Sequence, residues 1–396
     1  MISSVRLSIV DLIVFSGSIF VVLVFKATVI NLPYHWDEMA YIESAHQLTE
    51  KSFIYALPGH HPPQVFWGHP PGLFFFLSAL YLMFGYSVWI SHLLALCFAI
   101  LGIFYTYRLT GILTDRWTGI LAGLFLFMTL IYFAQSSMVL PGIPVAAVGV
   151  MCICFVLQER WFAYSVAALL LVLLKETALA FVVPVLIYIL WVQMQGSPCR
   201  SCIIACIIPL MAMALFFVLQ KATTGQFITN HYFDSHELFS LNPTHIGVSF
   251  IKVCGWIGGA QYRWAATGII SGAFVLRFNV FWRKEFLLFL LIGGCFVTVF
   301  SVIYVLPRYL MPILPLLFVV AACSIQSLFI RARSRMLVGI LILLLFVTGF
   351  SNSSVGRDSY SENMQFVDVV QTQLEAASYI QQQFSDSQII RKMAYV

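Results

Sequence analysis

Long apolar runs alternate with short polar connections over most of the chain, near residues 9–30, 89–108, 117–134, 138–157, 161–174, 177–194, 203–220, 265–281, 286–304, 309–329 and 336–350. A helix needs about 20 mostly apolar residues to cross the hydrocarbon core of a bilayer. The pattern therefore predicts an all-α polytopic membrane protein with about 11 transmembrane helices. A further run, 72–84, is too short to cross and is expected to lie at the interface or dip into the protein. The first run, 8–30, is too long for a signal-peptide core and lacks a small-residue cleavage site after it, which predicts an uncleaved first span.

Charge orders these spans. Arg108 with Arg116, Glu159 with Arg160, Arg200, Arg283 with Lys284, and Arg331 and Arg333 with Arg335 occupy every second connection. Basic residues concentrate on cytoplasmic connections, and Arg6 puts the N-terminus inside as well. The C-terminus then falls outside. Were 72–84 to cross, every later basic connection would invert, a second reason to read it as an interfacial helix. The outer segments become the loop 31–88, the turns 135–142 and 175–177, the loop 221–264 and the turn 305–308.

Two polar stretches carry helical spacing of their own. In YHWDEMAYIESAHQLTEK, residues 34–51, Met39, Ile42, Ala45 and Leu48 mark one apolar face, which predicts an amphipathic helix along the outer surface. In the tail 352–396, Phe366, Val369, Val370, Leu374, Ala377, Ile380 and Phe384 recur at helical spacing and predict one short amphipathic helix. The expected organisation is a transmembrane domain over 1–351 followed by a short outer polar tail over 352–396. No internal repeat is visible, nor the pair of Gly/Pro-broken spans in matching halves that marks many transporters.

Composition removes the alternatives to a membrane protein. With 61% apolar and 9% charged residues and a mean hydropathy of +0.94, the chain lacks the polar side chains to cover a water-soluble surface. The net charge of +5 is carried by the connections, and no basic patch suits a nucleic acid. Cys97, Cys152, Cys154, Cys295 and Cys323 lie inside apolar runs, where a thiol is a small hydrophobe. Cys199 and Cys202 form a CxxC with Cys206 nearby. Without a second pair or a histidine cluster it reads as structural.

Candidate chemistry gathers on the outer segments. Asp37 and Glu38 follow the first span directly. Neighbouring residues on a helix point about 100° apart, so one carboxylate would act and the other bond a backbone or basic partner; alternatively both serve the helix N-terminus, which favours acidic residues. PGHHPPQVFWGHPPGLFFFL holds His60, His61 and His69 among prolines that fix an extended platform. These histidines beside two carboxylates make a divalent metal a candidate cofactor, although none has i, i+4 ligand spacing with another. Hydrogen bonding to a substrate or to the acidic pair is the alternative use of His69. Lys175 and Glu176 occupy one outer turn, and Arg308 with Tyr309 another. Charges at membrane depth are usually paired or functional. Lys175 and Arg308 either hold a lipid-linked phosphate or, for Lys175, pair with Glu176 or snorkel to headgroups.

Five segments in order, HWDE, HPPGLFFFLSALYLMFG, MVLPGIPVA, KET and PRYLMPILPLL, resemble the GT-C superfamily. The nearest likeness is to its branch of protein O-mannosyltransferases and aminoarabinose lipid A transferases, glycosyltransferase family 39-like, over roughly residues 1–330. The resemblance implies a sugar carried on a polyprenyl phosphate, chemistry on the outer or periplasmic face, and interfacial helices in the first outer loop. It implies Asp37 as the catalytic acidic residue with Glu38 beside it, His69 as the HPP histidine, and Lys175 and Arg308 as phosphate-facing. Many relatives carry an aspartate where this chain has Gly142, which puts a second carboxylate or a metal site there in doubt.

The expected function is an inverting glycosyltransferase of the inner or plasma membrane. Asp37 is its base, a polyprenyl-phosphate-linked sugar its donor, and a lipid, glycan or protein its acceptor, with membrane lipids around it and no nucleic acid. The rivals are a non-catalytic subunit of an envelope polysaccharide pathway and a transporter of polyprenyl-linked sugars. Ionisable residues clustered at the outer ends and sparse at mid-span weigh against a transporter.

Overall fold

The structure, a computed structural model, describes residues 8–51, 55, 68–196, 200–227, 242–303, 306–351 and 364–383. Its elements are helices: α1 (Ile9–Lys26), α2 (Glu38–Glu50), α3 (Gly72–Phe84), α4 (Val88–Leu113), α5 (Arg116–Met128), α6 (Leu130–Gln135), α7 (Gly142–Leu157), α8 (Trp161–Leu174) and α9 (Leu179–Met194). They continue with α10 (Arg200–Thr224), α11 (Pro243–Gly258), α12 (Trp264–Leu276), α13 (Lys284–Val302), α14 (Leu314–Leu328), α15 (Ala332–Ser351) and α16 (Gln365–Gln383). Among the described residues seven segments are long and apolar enough to cross a membrane, namely Ile9–Lys26, Val88–Leu113, Glu176–Met194, Arg200–Thr224, Lys284–Val302, Pro307–Leu328 and Ala332–Phe350. Shorter apolar helices occupy Arg116–Met128, Gly142–Leu157, Trp161–Leu174 and Trp264–Leu276, within the other expected spans. Gly72–Phe84 has 13 residues, below spanning length.

The run expected as one span over 117–134 is two helices. Thr129 leaves the helical region at ψ 120°, and its hydroxyl bonds the Phe125 carbonyl. The N–H of Ile131, freed by the break, donates to Gln261 Oε1 at 3.1 Å. A freed amide at a helix start must find such a partner when buried.

Polar clamps fix the helices to one another. Ser8 and Asp11 form a capping box at the start of α1, and Asp11 also accepts from the Tyr107 hydroxyl at 2.8 Å and from Arg108 at 2.7 Å, which ties α1 to α4. Asp115 caps α5 through the Thr118 N–H at 3.0 Å and accepts from Gln326 and Arg335 at 2.8 and 2.6 Å. One carboxylate thus joins α5, α14 and α15. The core lies where α4 and α7 pack on each other and on α5, α8 and α14; nearly every side chain of α7 is buried.

Two expectations are corrected. The buried face of α2 runs through Glu38, Ile42 and Ala45, while Met39 is exposed, because α2 packs against α3 and its inward face turns with Glu38. The segment 221–264, expected as a loop, contains α11, whose start carries the Asn242 cap on Thr244 N–H and Pro243 in the first turn. Cys202 is disulfide-bonded, in keeping with a structural role for the CxxC; Cys199 lies outside the described residues. The tail helix is present as α16. Phe366 and Val370 are buried whereas Leu374 is exposed, and Phe366 packs with Ala134, Met138 and Leu140.

Candidate functional site

Five segments converge on one cavity: the start of α2, the residues before α3, the connection between α6 and α7, the turn between α8 and α9, and the turn between α13 and α14. The connection from α1 to α2 is held to α4, since Tyr34 and Tyr81 share the Ser91 hydroxyl at 2.9 and 2.6 Å and His92 Nδ1 lies 2.9 Å from the Ile30 carbonyl. The connection ends at Trp36, a non-glycine residue at φ 53°. Such conformations are costly and cluster at functional sites.

The adjacent carboxylates are divided. Asp37 is the N-cap of α2, a position where aspartate usually bonds the helix amides, yet it makes no side-chain cap bond. Its Oδ2 instead accepts from Arg308 Nη2 at 2.5 Å. Glu38 takes the helix-start role, with Oε2 accepting from the His35 N–H at 2.8 Å. Its Oε1 accepts from the Val139 N–H at 2.6 Å, which anchors the Asp37 turn to the connection between α6 and α7. Glu38 is buried and is not among the residues lining the cavity.

Arg308 and Tyr309 belong to a 3-10 turn, Pro307–Ile313, in which Pro307 and Pro312 limit the backbone. Lys175 follows α8 in extended conformation and places Nζ 4.5 Å from the Tyr309 ring centroid, with the Arg308 guanidinium 5.6 Å from the same ring. Burial pushes the Lys175 ammonium below the usual lysine range; Glu176 and Asp37 oppose this and Arg308 adds to it. Two cations therefore face one aromatic plate at the cavity wall, and groups of this kind bind anions.

His69 Nδ1 lies 2.8 Å from Glu176 Oε2, and its ring stacks parallel on Tyr41 at 6.3 Å. Burial, reinforced by the charges of Glu176 and Asp37, drives the Tyr41 hydroxyl far above its ordinary pKa, so Tyr41 stays a protonated donor. His35 is pushed down by burial, against the raising effect of Glu38.

The cavity thus gathers Asp37, His69, Lys175, Arg308 and Tyr309, with Glu176 bound to His69 and Glu38 behind the wall. His60 and His61 lie outside the described residues. Tyr41, Gln135 and Thr177 also line it and were missed from the sequence. Tyr41 stands one helical turn after Asp37, and that spacing was the available signal. Among the described residues no three His, Cys, Asp or Glu side chains gather as metal ligands. The Asp37 carboxylate faces a guanidinium, Gly142 supplies no donor, and the space its Cβ would need is taken by Met311 Cε at 2.8 Å. The described donor set does not fit a metal.

No family model matches the chain, and no curated protein does. Solved structures do resemble it. ArnT from Cupriavidus metallidurans in the apo state matches 95% of this chain and 72% of its own, at a TM-score of 0.62 and 15% identity. The same protein bound to undecaprenyl phosphate matches over the same shares at a TM-score of 0.62 and 17% identity. The Archaeoglobus fulgidus oligosaccharyltransferase in complex with Zn and sulfate matches 94% of this chain and 56% of its own, at a TM-score of 0.57 and 13% identity. This likeness runs over almost the whole chain, and the chain therefore has the GT-C fold shared by ArnT and this oligosaccharyltransferase.

Proposed function

We propose that the protein is a membrane glycosyltransferase that takes a sugar from a polyprenyl-phosphate carrier and passes it, with inversion, to a hydroxyl of a lipid, glycan or protein acceptor. The carrying observation is that Asp37 leaves its helix uncapped and points into a cavity where Arg308 and Lys175 converge. ArnT, of the same fold, has been solved with undecaprenyl phosphate bound, which supports a polyprenyl-phosphate donor here.

In this reading Asp37 removes the acceptor hydroxyl proton as the oxygen bonds to the anomeric carbon, and the bond from that carbon to the phosphate oxygen breaks with its electron pair leaving on the phosphate. A positioned carboxylate base contributes about a hundred- to ten-thousandfold. Arg308 and Lys175 stabilise the charge gathering on the departing phosphate, and Arg308 exchanges its Asp37 partner for that phosphate, which frees the base. Tyr41 and the His69–Glu176 pair offer directional hydrogen bonds to the sugar. Catalysis falls on the outer face of the inner or plasma membrane under the topology set by the basic connections.

The test is transfer from an undecaprenyl-phosphate-linked sugar by purified Asp37→Asn protein. Loss of transfer with undecaprenyl phosphate still bound supports the assignment, and wild-type transfer by the folded variant removes it. A non-catalytic subunit is the second reading, favoured by the absence of a carboxylate at Gly142. Donor bound by wild type but never turned over, whatever acceptor is supplied, would establish it.

A further inference from the structure

The turn between α11 and α12 holds two successive non-glycine residues in the left-handed region, Gln261 at φ 51° and ψ 45° and Tyr262 at φ 63°. A residue with a side chain keeps such a conformation only where its surroundings over-determine it. Here they do. Arg263 is buried; its Nε donates to the Ile257 carbonyl at 3.0 Å and its Nη2 to the Trp256 carbonyl, both among the acceptors that the last turn of α11 leaves over. Thr267 Oγ1 donates to the Gly258 carbonyl at 2.7 Å. The Tyr262 ring lies against α15, where a Cβ on Gly349 would come within 3.4 Å of it.

What this turn presents is the Gln261 amide. Its Oε1 accepts from the Ile131 N–H at 3.1 Å and from Arg263 Nη1 at 2.9 Å. Both neighbours can only donate, so the oxygen of the amide and not its nitrogen faces them. The Ile131 N–H belongs to the start of α6, all six of whose residues are buried. Thr129 makes no side-chain cap there, because its hydroxyl is bonded to the Phe125 carbonyl. A glutamine 130 positions away in the chain thus does the work of an N-cap. At its other end α6 runs into the cavity wall. Gln135, Leu140, Pro141 and Gly142 line the cavity, and between them the Val139 N–H donates to Glu38 Oε1 at 2.6 Å, beside Asp37.

We infer that Gln261 is a positioning residue for this wall: by capping α6 from the α11–α12 turn it fixes the stretch from Leu130 to Val139 and, through the Val139–Glu38 bond, the turn that carries Asp37. The inference rests on the reading of Asp37 as the base. Its consequence for rate follows from geometry, because a displacement near 1 Å of a catalytic group costs about a hundredfold.

Three substitutions in the full chain separate the cap from the strain. Gln261→Glu keeps an accepting oxygen, and an acid suits a helix start. Gln261→Met keeps the length of the side chain and deletes the acceptor. Gln261→Gly deletes the side chain and also relieves the left-handed backbone, so it stands in for the methionine variant should that one not fold. Each is compared with wild type for transfer from an undecaprenyl-phosphate-linked sugar, undecaprenyl phosphate binding, melting temperature and hydrogen exchange over 130–140. For Gln261→Met and Gln261→Gly we expect kcat to fall about ten- to a hundredfold with undecaprenyl phosphate binding unchanged, and exchange over 130–140 to quicken. Gln261→Glu should keep slow exchange and a kcat within about fivefold of wild type. A glutamate variant as slow as the methionine one overturns the inference. So does a glycine variant that regains both melting temperature and kcat, since the residue would then matter to the backbone alone. Should wild type itself transfer no sugar, the glycosyltransferase reading fails, and the exchange comparison between the methionine and glutamate variants alone decides the cap.

Discussion

Arg308 Nη2 lies 2.5 Å from Asp37 Oδ2, joining residues 271 positions apart in the chain. Under the proposed function Arg308 has two conditions to meet: it must stay near Asp37 without ligand and turn to the donor phosphate when that arrives. A guanidinium suits this because its fork can serve two oxygen pairs in one plane.

Arg308→Gln should therefore lower transfer by about a hundred- to a thousandfold, the range seen when a preorganised donor to developing charge is removed. Arg308→Lys should recover only part, because an ammonium lacks the fork. Undecaprenyl phosphate binding measured beside turnover separates the roles: Arg308→Gln should weaken both, whereas Asp37→Asn should spare binding.

Lys175 offers a stability prediction with a definite sign. Burial holds its folded-state pKa below the ordinary lysine value, so the unfolded chain binds a proton more readily than the native protein. Stability is then complete at pH above the ordinary lysine value and falls as pH drops through that value toward the folded one. At neutral pH the charged ammonium is a net burden on the empty protein. Lys175→Met should raise the melting temperature at neutral pH, and the gain should shrink as pH rises toward the lysine range. It should also weaken undecaprenyl phosphate binding. A thermal scan of both proteins across pH, with and without the lipid, tests all three.

Much of this site was legible in the sequence, for separable reasons. The apolar helices were legible because bilayer thickness imposes a length on apolar runs. Asp37, Lys175 and Arg308 stood out as charges beside membrane segments in a chain poor in charge. The different tasks of Asp37 and Glu38 were not separable, since either could cap the helix; only the fold brings the Val139 amide to Glu38 and the Arg308 guanidinium to Asp37. His92 was invisible because it lies within an apolar run and its partners come from the connections packed beside it. The break at Thr129 also escaped, since hydropathy does not register a helix interrupted by a threonine and sealed by Gln261.

Gly72 is fixed by packing at the start of α3. A Cβ there would lie 2.6 Å from the backbone oxygen of Leu173 in α8, and backbone cannot move as a side-chain end can. Gly72→Ala should push α3 from α8 and cost about 1–3 kcal/mol, the usual penalty for overpacking. Because His69 and Lys175 flank this contact on the two strands of chain, the variant should also loosen the His69–Glu176 bond, seen as faster hydrogen exchange over 68–74 together with a lower melting temperature. An unchanged melting temperature would show that the two helices separate freely.

Gly142 tests whether the site can accept a second carboxylate. The space in front of its Cα holds Met311 Cε at 2.8 Å, with the Arg308 carbonyl and Gln135 Oε1 each 3.7 Å from the Cβ position. The methionine end is flexible, so Gly142→Ala should shift it at a cost below about 1 kcal/mol and leave transfer near wild type. Gly142→Asp faces a different difficulty. Beyond Met311, the atoms nearest its Cβ are two oxygen acceptors, and setting a carboxylate against acceptors costs about 1–3 kcal/mol. Combining Gly142→Asp with Met311→Ala restores room but leaves the two oxygen acceptors in place, so the double variant should remain destabilised by thermal melting, while Gly142→Ala with Met311→Ala should stay near wild type apart from the cavity. Recovery by the aspartate double variant would show that space alone excluded the second carboxylate. Continued instability would show that Gln135 and the turn at Arg308 are built around a single acid, Asp37.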